Sequence, residues 1–430
     1  MAPNPTIMQA VEALNYRVTI GDVAAQAGLD IQNAERELLS LASEAGGHLQ
    51  VAETGDVAYL FPKNFRAILR QKFWRLRLQE SWQKVWRFLF YLIRISFGIL
   101  LVVSIVIIFA AIFVILTASS RDSDNDNDRS SSSGGSFFLW PRFWYWSDLF
   151  WIFSPDYEPY RYRQRRRDRY VSTSSGNNEN EMNFLEAIFS FLFGDGNPNG
   201  DLDEKRRIAI ATTIRNNRGA IAGEQIAPFV EETDEYEDYM LPVLTRFGGL
   251  PKVSPDGDIV YYFPELQITA ADRKEKDKNP QPVSSYLQEL PWRFSEADSG
   301  QLVLAAGLGG VNIVGALILG NMLKDGAIAA QLGGFVAFVG SIYWLLLGYG
   351  IAFLAVPLIR YIWLKWENGK IDDRNQRRQR RAQTLKSPDA SLQNKLTYAS
   401  QFAAQTVISG ENLAYTSETD LIEQEIQQLE

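Results

Sequence analysis

The stretch ISFGILLVVSIVIIFAAIFVILTASS, residues 95–120, contains no charged residue. An α-helix rises about 1.5 Å per residue, so this run is long enough to cross a hydrocarbon layer about 30 Å thick. It starts about ninety residues into the chain, where a secretory signal peptide is not expected. The sequence therefore predicts a transmembrane helix over residues 93–118.

Two further uncharged runs follow nearer the C-terminus, and Lys324 and Asp325 separate them. The first predicts a second span over residues 300–323. The other is too long for one perpendicular helix and too short for two, so we predict one long or tilted span over residues 331–359, bent near Gly348–Gly350 and Pro357. The predicted fold class is a polytopic α-helical membrane protein.

The flanking charges predict the orientation of these spans. Eight Lys and Arg residues stand between Arg66 and Arg94, against the single acid Glu80, and Arg377-Arg-Gln-Arg-Arg381 follows the last span. Cytoplasmic flanks carry such excess positive charge, so both termini are expected on the cytoplasmic or stromal side. This arrangement requires an even number of crossings, and only three have been identified.

The aromatic segment FFLWPRFWYWSDLFWIF, residues 137–153, is the candidate for a fourth crossing. It is just long enough to span, but Trp and Tyr are typical of the membrane interface, and Pro141, Arg142 and Asp148 interrupt it. Two alternatives stay open. The segment crosses or re-enters the membrane, or it lies in the membrane plane and one terminus assignment is wrong.

An internal repeat lies outside the predicted spans. GGHLQVAETGDVAYLFP at residues 46–62 aligns without gaps on GGLPKVSPDGDIVYYFP at residues 248–264, with eight identical residues. In each copy three helical segments precede two alternating strands joined by turn residues, which is the order of a winged helix. In the second copy the predicted helices are residues 207–216, 223–227 and 233–246. The sequence predicts two winged-helix (α+β) modules, over residues 1–63 and 205–265.

Winged helices often bind DNA, but the charge of both copies argues against it. Residues 1–62 contain eight acidic and two basic residues, and residues 208–264 contain nine acidic and four basic ones. Binding to phosphates requires the opposite sign. We expect no DNA binding, and predict contacts with protein, including contact between the two copies.

A loop before the second module resembles an EF-hand calcium site. Its oxygen-bearing side chains alternate along the chain: Asp195, Asn197, Asn199, Asp201 and Asp203. Position 12 of this pattern is Arg206, where a bidentate Glu is usual. A glycine-rich connector that caps the following helix explains the same residues. Calcium is therefore a weak candidate ligand, and no other cofactor is expected.

Four polar side chains stand out within the last two spans: Asn312 and Asn321 on the second, and Gln331 and Tyr343 on the third. They are candidates for lining a polar pathway. Hydrogen bonds between closely packed, glycine-rich helices are the alternative, and the many glycines of these spans favour it.

The composition excludes several chemistries. The chain has no cysteine and one histidine, so it cannot form disulfides, thiolate nucleophiles, Cys-ligated zinc sites or cysteine-held iron–sulfur clusters. We therefore expect a protein that is not an enzyme.

The segment FLFGDGNPNGDLDEKRRIAIATTIRNNRGAIAGEQIAPFV, residues 191–230, together with residues 137–153 and the flanking spans, resembles a family of uncharacterised cyanobacterial and chloroplast-envelope membrane proteins. Some plant members carry the label "iron–sulfur cluster biosynthesis family protein". The resemblance implies a photosynthetic source and a thylakoid, plasma or envelope membrane. It assigns no functional residue, and a chain without cysteine can have only an indirect part in cluster assembly.

The predicted function is that of a non-enzymatic, membrane-anchored interaction or assembly factor that binds a protein partner through its modules, with a photosynthetic complex as a candidate. The alternatives are a small transporter or channel with regulatory modules, and a membrane-tethered transcription regulator. Membrane lipids are further expected partners, because basic residues at 161–169 and 374–381 would attract anionic headgroups. The oligomeric state is not predicted.

The predicted segments, in chain order, are a winged-helix module (1–63), a basic amphipathic helix (64–92), the first span (93–118), a polar loop (119–136), the aromatic segment (137–153), a basic and polar linker (154–181), a helix with the Gly/Asn/Asp loop (182–204), the second module (205–265), a linker (266–299), two spans (300–323 and 331–359) and a tail with helices (360–430).

Overall fold

The computed structural model describes residues 4–121, 182–270 and 285–418, apart from residues 73, 235 and 325. The described chain is mostly helical. Its α-helices are α1 Pro5–Ala13, α2 Ile20–Ala27, α3 Ile31–Ala45, α4 Phe65–Lys72, α5 Trp74–Arg121, α6 Phe184–Phe193, α7 Leu202–Asn216, α8 Leu241–Phe247, α9 Pro264–Gln267, α10 Ser299–Met322, α11 Ala327–Leu332, α12 Gly334–Lys386 and α13 Ala390–Ser400. Its strands are β1 Arg17–Thr19, β2 His48–Ala52, β3 Val57–Leu60, β4 Ala220–Ala222, β5 Leu250–Val253, β6 Ile259–Tyr262, β7 Ile268–Thr269, β8 Thr406–Val407 and β9 Leu413–Thr416.

The chain divides into two compact units. The module unit comprises residues 1–83, 198–291 and 368–430, and the span unit comprises residues 84–197 and 292–367. The two copies of the repeat therefore belong to one unit, although a long apolar helix separates them in the sequence.

The first copy forms α1, β1, α2 and α3, followed by the β2–β3 hairpin. Thr19 and Asp22 form a capping box at the start of α2, and the Asp30 side chain accepts hydrogen bonds from the first turn of α3. Both helices end at glycines with a left-handed backbone, Gly28 and Gly46. These local signals fix the helix ends, and the apolar side chains between them form one buried core.

The second copy repeats the same sheet. The strand order is β1-β3-β2 in the first copy and β4-β6-β5 in the second. His48 lies opposite Leu60, and Leu250 lies opposite Tyr262, which are equivalent positions in the aligned segments. The hairpins therefore have the same register.

The helices of the second copy differ from those that the sequence predicts. The segment Gly223–Ala227 was predicted to be a helix, but the structure has two 3₁₀ turns there, Gly223–Gln225 and Ala227–Phe229. The third helix begins at Leu241, later than the predicted Thr233. The acidic side chains of residues 231–238 repel one another, and Glu237 has a left-handed backbone with φ of 56°, which a helix excludes.

The span unit contains three helices that are long and apolar enough to cross a membrane: residues 85–118 within α5, together with α10 and α12. They pack in two buried clusters. Leu101, Ala305 and Phe353 belong to one cluster, which also contains the apolar face of α6. Ile108, Ala316 and Val339 belong to the other. The predicted number of apolar spans thus agrees with the described helices.

The third span differs from the prediction of 331–359. A separate helix, α11, ends at Leu332, and a break with positive φ at Gly333 and Gly334 precedes α12. Helix α12 then continues through Pro357 as far as Lys386. A proline removes a single hydrogen bond from the helix, and the good helix formers that follow extend it.

Several sequence predictions fall outside the described residues. These are the aromatic segment 137–153 with its membrane crossing, the polar loop beyond Arg121, and the basic run 161–169.

Candidate functional site

The two copies of the repeat contact each other through α2 and α7. Asp22, only 1 % exposed, lies at the centre of this contact and forms an ion pair with Arg215 of α7. Its oxygens also accept hydrogen bonds from the Thr269 hydroxyl at 2.9 Å and from the Ala270 amide at 2.9 Å. A buried carboxylate is stable only with such partners, so Asp22 joins the copies at a defined position.

Close backbone contacts extend this interface. A Cβ atom at Gly21 would overlap the carbonyl oxygen of Glu265. Arg207 of α7 donates from Nε to the carbonyl oxygen of Gly28, at 2.9 Å. Ala25 of α2 belongs to the hydrophobic core of the second copy. The two copies therefore share buried surface within the module unit.

The C-terminal segment contacts both copies. Strand β9 pairs with β2 at the edge of the first sheet, β8 pairs with β7, and α13 packs on β4 and β6 of the second sheet. Arg17 donates to the carbonyl oxygens of Ala270 and Ile408, at 3.3 and 3.0 Å. The segment after α12 is thus an integral part of the module unit.

A cluster of ionisable residues holds α13 on the second copy. The Nζ of Lys395 lies 2.9 Å from a Glu224 oxygen and 2.6 Å from a Glu237 oxygen. Burial alone would lower the pKa of Lys395, but its hydrogen bonds to the two glutamates outweigh burial and raise it. The Tyr261 hydroxyl donates to Glu237 at 2.8 Å, and burial with this bond raises the pKa of Tyr261. With raised pKa values, Lys395 and Tyr261 keep their protons near neutral pH, which suits a structural contact better than proton transfer.

Three arginines of the basic run 374–381 bind protein groups, and the expected attraction of this run to lipid headgroups stays a prediction. Arg374 and Arg378 form ion pairs with Glu289, at 2.7 and 2.6 Å, and Arg378 is buried. Arg381 donates to the carbonyl oxygens of Ala227 and Val230. These three guanidinium groups bind protein acceptors because α12 continues beyond its apolar part into the module unit. The remaining arginines of the run, Arg377 and Arg380, are exposed.

The residues of the predicted calcium loop have other partners. Asp195 pairs with Arg94 at 2.7 Å and accepts hydrogen bonds from the Ser190 hydroxyl and the Glu296 amide. Asn199 exchanges two hydrogen bonds with the backbone of Leu290.

The remaining loop residues lie at the surface. Asp201 pairs with Lys205, which lowers the pKa of Asp201, and Asp203 pairs with Arg206. The side chain of Asn197 is exposed. No group of three or more His, Cys, Asp or Glu side chains is arranged to hold a metal ion in the part of the chain that the structure describes. Calcium binding stays a prediction without support from these contacts.

Asn312 connects three helices of the span unit. It is fully buried, and its Nδ2 donates to the Ser104 hydroxyl of α5 at 2.8 Å. Its Oδ1 faces Gly350 of α12, where a Cβ atom would lie only 2.7 Å away. This oxygen has no hydrogen-bond partner among the described residues. The arrangement fits a packing contact between helices, whereas Asn321 and Gln331 are exposed.

Comparison with known proteins finds a relative in Arabidopsis thaliana. The protein described as "Uncharacterized protein At5g03900, chloroplastic" is 35 % identical to this chain over 431 aligned positions. The alignment covers 97 % of this chain and 79 % of the Arabidopsis protein. No protein-family model matches the chain, and no solved structure is similar to it.

Proposed function

The chain belongs to the same family as the chloroplastic Arabidopsis thaliana protein, and we propose that it is a non-enzymatic interaction or assembly factor in a chloroplast or related photosynthetic membrane. The three apolar helices supply the membrane anchor. The observation that carries the proposal is the contact between the two copies of the repeat, which together form one module unit outside the apolar helices.

We propose that each copy is a winged helix. Helices α1, α2 and α3 with the β1-β3-β2 sheet match this plan, and the equal register of the second sheet supports the same assignment there. The 3₁₀ turns of the second copy replace a helix, so its resemblance to the plan is weaker.

The proposed topology has four crossings. The two copies contact each other, so both lie on one side of the membrane, and α5 between them crosses only once. The packing of α6 supports a return crossing, because the Phe189 ring of α6 contacts Phe90 and Phe97 in the N-terminal half of the α5 span, whereas α5 ends at Arg121. The proposed return crossing falls between Arg121 and Phe184, and its candidate from the sequence, residues 137–153, lies outside the described residues. Helices α10 and α12 add two crossings and leave both termini on the stromal or cytoplasmic side.

The partner is proposed to be a protein. Both copies are acidic, which disfavours nucleic acid as a ligand. The outer face of α3 in the first copy exposes Glu35 and Arg36 around Leu39, which is 52 % exposed. A large exposed apolar side chain within a polar rim is the composition of a small protein contact.

Co-purification from photosynthetic membranes in a mild detergent, followed by crosslinking mass spectrometry, tests this function. We expect a stoichiometric protein partner crosslinked to the module unit, and its loss in Leu39→Asp. The control is Ser40→Asp, an exposed neighbour on the same helix, which should keep the partner. A monodisperse protein without a partner would contradict the proposal. Duplex DNA retained by the full-length protein at physiological salt would favour the transcription alternative.

A further inference from the structure

A cavity of about 800 Å³ lies in the span unit, at the end of α10 and the start of α12. Its volume is within the range of about 300–1,000 Å³ that is usual for small-molecule sites. Leu317, Gly320 and Asn321 of α10 line one side, Tyr343 and Trp344 of α12 line the other, and Lys324 lies in the connection between the helices.

Small residues create this space. Gly320 has no side chain, and a Cβ atom there would overlap the Tyr343 hydroxyl, so the ring of Tyr343 packs directly on the α10 backbone. Ala337 and Gly340 leave room on the α12 side. Larger side chains at these positions would fill the cavity, because side chains between packed helices normally leave little empty space.

The lining combines two chemistries. The amide of Asn321, the ammonium group of Lys324 and the hydroxyl of Tyr343 are hydrogen-bond donors, and one of them is a cation. Leu317 and Trp344 are apolar and 56 % and 77 % exposed, as expected for side chains that face acyl chains in a membrane. Both the ends of spanning helices and the headgroups of lipids lie at the membrane surface, so a cation at this point can meet an anionic headgroup.

We propose that this cavity binds one anionic lipid, with its headgroup at Lys324 and Asn321 and an acyl chain along Leu317 and Trp344. The positive charge selects an anionic headgroup over a zwitterionic one. The Tyr343 hydroxyl is the third donor available to the headgroup. This site is separate from the module unit and does not depend on the proposed function.

Native mass spectrometry of the full-length protein, released from vesicles that contain phosphatidylcholine and phosphatidylglycerol, tests the site. We expect wild type to retain one phosphatidylglycerol molecule. Lys324→Gln should weaken this binding about tenfold, the effect of losing one charge-assisted hydrogen bond. The matched control is Lys365→Gln, which removes the same charge from an exposed position of α12 and should bind as wild type does.

A second variant tests the cavity itself. Ala337→Leu fills the space without changing any charge, and we expect it to retain less phosphatidylglycerol than wild type. Equal retention by wild type, Lys324→Gln and Lys365→Gln would overturn the proposal. Displacement of the lipid by inorganic phosphate alone would also overturn it, because the site would then recognise a free anion.

Discussion

Asp22 caps a helix and joins the two copies of the repeat with the same carboxylate. Its Oδ2 accepts the Thr19 amide at the start of α2, while Oδ1 meets Arg215 and the Thr269 hydroxyl from the second copy. Removing one partner of a buried ion pair leaves the other charge uncompensated, which is more costly than the loss of an exposed pair.

We therefore expect Asp22→Asn to lower the free energy of unfolding of the module unit by about 3 kcal/mol. The measurement is urea unfolding of the purified protein in detergent, monitored by the circular dichroism of the backbone. Asp201→Asn is the control, because the Asp201–Lys205 pair is exposed, and it should have no measurable effect. Equal stability of Asp22→Asn and wild type would show that the ion pair does not hold the copies together.

Glu289 gives the module unit a dependence on acid pH. Burial alone would raise the pKa of Glu289, but hydrogen bonds from Arg374 and Arg378 outweigh burial and lower it. A carboxyl with a lower pKa in the folded state stabilises the fold above its unfolded pKa of about 4.3, and this contribution disappears as the pH falls through the folded pKa.

We expect the stability of wild type to fall more steeply than that of Glu289→Gln between about pH 5 and pH 3. Thermal unfolding in a series of buffers measures both slopes. At neutral pH the variant should be the less stable of the two, because Arg378 loses its buried partner. Parallel curves across the acid range would contradict this account of Glu289.

Among the helices, Gly309 is one of the glycines that allow α10 and α12 to approach closely. A Cβ atom at Gly309 would lie 2.6 Å from the Phe353 ring and 2.8 Å from the Leu354 side chain, whereas one at Gly307 would meet nothing within 4 Å. The two glycines are two residues apart on one helix, yet only Gly309 faces the neighbouring span.

We expect Gly309→Leu to destabilise the span unit by about 1–3 kcal/mol, because the inserted side chain overpacks a tight contact. Gly307→Leu adds the same side chain on the exposed face and should leave stability unchanged or slightly raised. Thermal unfolding of both variants in the same detergent makes the comparison. A similar loss of stability in both variants would contradict this expectation, because it would show that exposure to lipid, and not the contact between α10 and α12, determines the loss.

The elements differ in how far the sequence predicts them. The apolar runs predict the spans because an uncharged run of that length has few alternatives to a membrane helix. Local caps predict α3, which begins after Asp30 and ends at Gly46. The sequence pattern does not predict that α12 continues to Lys386. The charged residues beyond Ile359 mark the end of the apolar segment, but the helix itself continues.

The contacts of the candidate site are not predictable from local patterns. Asp22 and Arg215 are 193 residues apart in the chain, and Lys395 and Glu237 are 158 apart. The hydrophobic pattern indicates which faces are buried but does not specify which copy or tail covers them. The calcium pattern shows a related limit, since spacing alone cannot show that Asp195 faces Arg94.

Local sequence patterns also do not predict what covers the edges of the two sheets. In the first copy β9 pairs with the β2 edge, whereas in the second copy Pro251 occupies the β5 edge and the Tyr398 hydroxyl donates to the Val253 carbonyl oxygen. Proline lacks the amide hydrogen that another strand would need, so it protects an edge strand from pairing. The two copies thus share the strand order and register of their sheets, while the C-terminal segment covers each copy differently.

At the scale of the whole molecule, we propose that one unit presents both copies on the same face of the membrane. The buried contacts of α2 with α7, and of the C-terminal segment with both sheets, hold the copies in this unit. The proposed even number of crossings between the copies rests on these contacts. The proposed partner binding depends on it, because a partner can meet both copies together only from that compartment.

Single-cysteine labelling measures the side of the membrane on which each copy lies, and the chain suits this experiment because it contains no cysteine. Ser43→Cys in the first copy, Thr245→Cys in the second and Ala330→Cys between α10 and α12 are treated with a membrane-impermeant maleimide in sealed vesicles of known orientation. We expect the first two cysteines to react from the same, stromal or cytoplasmic, side and the third to react only from the other. Labelling of Ser43→Cys and Thr245→Cys from opposite sides would contradict the account.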